Sequence, residues 1–191
     1  MIAIIDYDTG NLRSVCNALD RIGAEYVLTD DPQVIHNADR VLLPGVGEAS
    51  TAMANLQERG LCDVIRSLKV PVLGICIGMQ LMCSHSEEGD VDCLGIFDSC
   101  VRKFEAAPSA GVKVPHMGWN SVRGLKTGLF DGLQDGSFVY FVHSFAADPC
   151  EDTIAVCSEC DYRANMEAAE SIIENDSTEE LKELTKVETP H

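Results

Sequence analysis

The chain is poor in positive charge, with 14 Lys and Arg against 31 Asp and Glu and a formal net charge of −17. A surface of that sign repels phosphate backbones and anionic lipid, so neither nucleic acid nor a membrane surface is an expected partner. No apolar run comes near the roughly 18 residues that a bilayer-spanning helix needs. Met1 runs directly into a strand pattern, "MIAIIDYDTG", with no basic stretch ahead of it. No secretory leader is therefore expected, and the chain reads as cytoplasmic. Calcium-loop spacing is missing from the acidic stretch "SEEGD" (86–90), which reads as solvated surface. Cys157-Ser-Glu-Cys160 has no second pair at zinc spacing, so no metal and no cofactor is expected. The nine cysteines are odd in number and scattered through apolar segments, the pattern of reduced thiols.

What is present fits one α/β domain: 191 residues, 46% of them apolar. "IAIIDY" (2–7), "EYVLTD" (25–30) and "RVLLPG" (40–45) are short apolar strands. "NLRSVCNALDRIG" (11–23) places Leu12, Val15, Leu19 and Ile22 at helical spacing with Gly23 as the stop. "TAMANLQERGLCDVIRSLK" (51–69) is helical with a break near Gly60. Strands alternating with helices predict a mainly parallel sheet flanked by helices. Ligands of such sheets sit at the carboxyl ends of the strands, where Asp6, Pro44–Gly47 and Cys76 fall. The second half is β-rich: "CLGIFDSCVRKF", "VPHMGWNSV", "SFVYFVHSF" and "TIAVCSECDY" are strand-like runs, with "EAAPSAGVK" (105–113) as a loop.

"VLGICIGMQLM" (72–82) carries the chemistry. Gly-x-Cys-x-Gly between a strand and a helical pattern has the layout of a nucleophile elbow, in which flanking glycines permit a turn that a Cβ would obstruct. Such a turn aims the Cys76 thiol outward at the positive end of the next helix, which favours thiolate. Thiolate attack on a carbonyl creates an oxyanion that needs two fixed N–H donors. The Ile77 amide is one candidate, and "LPGVGEAS" (43–50) can supply another.

Taken together these motifs resemble the class I glutamine amidotransferases, and among them the glutaminase subunits of imidazole glycerol phosphate synthase. "IIDYDTGNLRSV", "LPGVG", "GICIGMQLM", "SEEGDVDCLGIF", "VPHMGWN" and "YFVHSF" follow in that family's order over residues 1–162. The resemblance implies a class I glutamine amidotransferase-like fold and Cys76 as the nucleophile on the carboxamide of glutamine. It implies Val46 and Ile77 as oxyanion-hole amides, and Gly47, Gln80, His143, Ser144 and Phe145 as holders of the amino-acid end of the substrate. Phe145 stands where the family usually has Tyr, so a hydroxyl contact is lost. Asn11 and Trp119 would face a cyclase subunit in a heterodimer, which receives ammonia directly and uses it in histidine biosynthesis.

The same resemblance implies a closing segment near Gln-Phe-His-Pro-Glu-Lys-Ser, whose His is general base and acid and whose Glu orients it. These 191 residues contain no His-Pro-Glu. By analogy with other triads, loss of the base costs on the order of 10⁴- to 10⁶-fold in turnover. Residues 1–162 thus read as an amidotransferase-like domain incomplete at its C-terminal end. Residues 163–191 read as an acidic tail, helical or disordered, with Ser177 and Glu180 at capping-box spacing. Three readings follow: a glutaminase subunit, impaired or not; a catalytically dead subunit that only binds the cyclase; and an unrelated cysteine hydrolase.

Overall fold

A computed structural model describes residues 1–105, 114–157 and 170–171. Four parallel strands form the first sheet: β1 (Ile2–Ile5), β2 (Tyr26–Thr29), β3 (Arg40–Leu43) and β4 (Val72–Gly74). Their order is β4-β3-β1-β2, with Ile2 opposite both Tyr26 and Arg40. Helices α1 (Leu12–Ile22), α2 (Pro32–His36), α3 (Ala49–Glu58) and α4 (Leu61–Ser67) make the crossovers. Gly23 ends α1 at φ 68°, and Gly60 separates α3 from α4 at φ 66°, a conformation glycine adopts without a Cβ penalty. Helix α2 has no counterpart among the expected elements. It rests on the cap that Asp31 gives the Gln33 amide, with Pro32 in the first turn.

The strands are apolar on both faces because both faces are covered. Ala3, Ile5, Val41, Leu43 and Val72 join Ile35, Met53, Leu56, Leu61 and Ile65 in the larger core. Ile2, Ile4 and Leu42 pack with Leu19 of α1 in the smaller one. Beside α1 that face leaves an apolar groove of about 440 Å³, lined among others by Ile22, Leu42, Leu73 and Ile75.

Helix α5 (Ile77–Gln80) follows β4 and lasts one turn. The amides of Leu94, Gly95 and Ile96 take the carbonyls of Leu81, Cys83 and Met82, which a longer helix would have used itself. The second half builds two further sheets. One is β10-β7-β5-β6, from β5 (His85–Ser86), β6 (Val91–Asp92), β7 (Cys100–Lys103) and β10 (Phe145–Ala147). The other joins β11 (Val156–Cys157) to an antiparallel ribbon of β8 (His116–Arg123) and β9 (Phe138–His143).

In the stretch expected to be helical or disordered, Glu170–Ser171 instead form a two-residue strand, β12, antiparallel to β4. The rest of that tail, Cys160 and most of the expected loop 105–113 lie outside the described residues. Among the described residues no helix is long and apolar enough to cross a membrane.

Candidate active site

Cys76 sits between β4 and α5 at φ 55° and ψ −117°, a left-sided backbone conformation that a non-glycine residue holds only where its surroundings impose it. The imposition is visible in its neighbours. A Cβ on Gly78 would lie 1.8 Å from the Leu43 carbonyl oxygen, and one on Gly74 would lie 2.6 Å from Cα of Met79. On the adjacent loop, a Cβ on Gly45 would meet the Gly78 nitrogen at 2.6 Å. Glycine at these three positions lets β3, β4 and α5 close on one another, and the thiol is turned out. All eight described cysteines are free, and only Cys76 is exposed. Burial pushes the Cys93 thiol up to about 11 and raises that of Cys62 as well.

The two expected oxyanion donors differ in state. The Ile77 amide, first in its helix, has no hydrogen-bond acceptor among the described residues. The Val46 amide donates to Thr9 Oγ1 at 3.2 Å, so it serves an oxyanion only after leaving that hydroxyl. Beneath the same loop Tyr7 is fully buried and donates its hydroxyl to the Pro44 carbonyl at 2.6 Å. Burial raises its pKa to about 12, which keeps the phenol a donor. A cavity of about 280 Å³ opens here, lined among others by Tyr7, Thr9, Val46, Gly47 and Glu48.

Gln80, buried on α5, donates from Nε2 to the Phe145 carbonyl at 3.3 Å, while its Oε1 has no hydrogen-bond partner among the described residues. The Ser144 carbonyl accepts from the Phe104 amide at 2.9 Å, and His143 Nδ1 donates to the Phe145 carbonyl at 2.9 Å. Residues 143–145 are thus laid against the helix that follows the nucleophile.

Glu88 is an exception to the solvated surface expected of "SEEGD", whose Glu87, Gly89 and Asp90 are exposed. Its half-buried carboxylate accepts from the Ala49 amide at 3.2 Å, at the start of α3 and just after the Val46–Gly47 turn. Burial raises its pKa, the Ala49 hydrogen bond opposes that, and Glu48 adds to it. Sequence reasoning missed this residue because nothing in the local spacing says that β5 returns to α3. Glu87 in the same stretch accepts from the Lys103 amide at 2.8 Å.

Asn11 precedes α1 in the left-handed region and is exposed. Trp119 is 69% exposed and stands edge-on to Tyr140 across the ribbon. The described histidines do not reach the thiol by hydrogen bonding. His36 lies before β3, at the amino end of the strands. His85 pairs with Asp90 and Asp92 at 3.3 and 3.1 Å, and His116 faces His143 at 3.1 Å.

A strand-to-helix cysteine elbow beside a Pro-Gly-x-Gly loop on a parallel sheet is the arrangement of a glutamine amidotransferase, and the family comparison agrees: the profile "Glutamine amidotransferase class-I" matches residues 3–176. The chain belongs to this family. Among curated relatives it is similar to imidazole glycerol phosphate synthase subunit HisH of Bacteroides fragilis, with 52% identity over 168 residues, 88% of this chain and 84% of that one. The HisH subunit of Xanthomonas campestris pv. campestris is 47% identical over 157 residues, 82% of this chain and 78% of the relative. At the level of fold, a crystal structure of a glutamine amidotransferase superposes with a TM-score of 0.61 at 17% identity, covering 81% of this chain and 79% of that one.

Proposed function

We propose that this chain is the glutamine-hydrolysing subunit of an imidazole glycerol phosphate synthase, releasing ammonia from glutamine for a cyclase subunit in histidine biosynthesis. The observation that carries the reading is the elbow: one exposed thiol, on a strained residue, between glycines that admit no side chain. The motif order shared with HisH relatives supports the particular assignment.

In this reading Cys76 Sγ attacks the carboxamide carbon of glutamine. The Ile77 amide holds the resulting oxyanion, and the Val46 amide joins it once freed from Thr9. Expulsion of ammonia leaves a glutamyl thioester, which water hydrolyses to glutamate. Gly47, Gln80 and residues 143–145 take the amino-acid end, the unpaired Gln80 Oε1 accepting from the α-ammonium group. Glu88 adds a carboxylate of the right sign beside the same loop.

The partner surface is the outer face of the ribbon, where Met117, Trp119, Phe138, Tyr140 and Val142 are all exposed. The register sets Trp119 opposite Tyr140 and Met117 opposite Val142, so they form one apolar face. Asn11 would contribute from the start of α1.

The leaving amide nitrogen must take up a proton to depart as ammonia, which calls for a general acid within reach of Cys76. The test is glutamate release from glutamine by the chain with its cyclase and the cyclase's nucleotide substrate, beside Cys76→Ala. The expected result is a stable complex that releases glutamate well above the Cys76→Ala control. Failure to form the complex would overturn the assignment of partner.

A further inference from the structure

The inner face of the ribbon carries a hydrogen-bond chain that the chemistry at Cys76 leaves unexplained. Asn120 Nδ2 lies 3.5 Å from His116 Nε2, His116 Nδ1 lies 3.1 Å from His143 Nε2, and His143 Nδ1 lies 2.9 Å from the Phe145 carbonyl oxygen. The direction of the chain can be assigned atom by atom. A carbonyl only accepts, so His143 Nδ1 carries hydrogen. In a neutral ring Nε2 is then bare, so His116 donates to it from Nδ1, and the bare His116 Nε2 receives the Asn120 amide. The orientation of Asn120 is fixed independently, because its Oδ1 accepts from the Ser121 amide at 2.9 Å.

Every donor therefore points the same way, from Asn120 to Phe145. A proton added to His143 would set its Nε2–H against the Nδ1–H of His116, and one added to His116 would face the Asn120 amide. Burial lowers the pKa of each ring, the hydrogen bond to the Phe145 carbonyl opposing it at His143, and a proton on His143 would lower that of His116 further. His116 stacks on Phe141, and His143 meets Phe104 edge-on.

The chain ends at a shared acceptor. Gln80 Nε2 donates to the same Phe145 carbonyl at 3.3 Å, which turns Gln80 Oε1 away and leaves it buried without a partner among the described residues. A buried acceptor in that state costs free energy until a ligand N–H meets it. We infer that Asn120, His116 and His143 are positioning residues: through the Phe145 carbonyl they fix Gln80 Oε1 to receive the α-ammonium group of the substrate, and they tie it to the strand whose outer face carries Trp119. This rests on the glutaminase reading above.

Two measurements on the chain in complex with its cyclase test it. A long-range ¹H–¹⁵N spectrum of histidine-labelled protein at pH 7.5 should show His116 and His143 both protonated at Nδ1 and bare at Nε2. A ring with the opposite tautomer, or with both nitrogens protonated, overturns the chain. Calorimetric titration with glutamine should show His143→Ala binding about tenfold more weakly. His143→Asn, whose amide nitrogen falls near the Nδ1 position, should recover most of that loss, which a merely structural role would not produce. Equal affinity in wild type and His143→Ala, or no recovery in His143→Asn, overturns the positioning role alone. A wild-type complex that binds no glutamine overturns the glutaminase reading and this inference with it.

Discussion

Gly78 shows how little room the elbow leaves. Its missing Cβ would sit 1.8 Å from a backbone oxygen of β3, an atom that cannot rotate away as a side chain could. Gly78→Ala should therefore cost stability at the upper end of about 1–3 kcal/mol, read as a lower urea midpoint at unchanged slope. The histidine pair has a signature in pH. Each ring titrates near 6.5 in the unfolded chain and lower in the folded one. Below about 6.5 the unfolded state thus binds more protons, so stability is full above that value and falls as pH drops toward the folded values. The ceiling is about 1.4 kcal/mol per pH unit per ring. Urea midpoints at pH 7.5 and 5.5 should show a shallower dependence in His143→Asn than in wild type. Equal dependence in both would mean that the ring titrates alike in the two states.

At the scale of elements, the parallel half was legible because its signals are local. Period, glycine stops and the Gly-x-Cys-x-Gly turn marked β1, α1, the break at Gly60 and the elbow within residues of their place. The length of α5 was not legible, since what stops it is a set of amides from residues 94–96 that arrive from outside the segment. Glu88 was missed for the same reason, its partner being the amide of Ala49. The ribbon was visible as strands, but which side faces outward depends on register and on what covers the other side. That outer face makes a prediction. Trp119→Ala and Tyr140→Ala should each weaken cyclase binding by about 2 kcal/mol or more, as buried aromatic anchors do. Because Trp119 is 69% exposed in the chain alone, Trp119→Ala should leave the unfolding midpoint of that free chain nearly unchanged. Undiminished affinity in both variants would move the interface elsewhere.

The whole molecule divides its tasks among three sheets. The parallel sheet presents the elbow and the loop after β3 at its carboxyl edge. The β10-β7-β5-β6 sheet brings Glu88 to the start of α3 and anchors Phe145. The ribbon turns His116, Asn120 and Phe141 inward and leaves Met117, Trp119, Tyr140 and Val142 exposed. In the proposed reading the nucleophile and the residues that hold glutamine all lie within residues 1–157. The most direct test of that account is labelling of the chain with an electrophilic glutamine analogue, such as its diazoketone, followed by intact mass and peptide mapping. One adduct on Cys76, slowed by excess glutamine and lost in Cys76→Ala, is the predicted result. Labelling spread over several cysteines, or unaffected by glutamine, would contradict it.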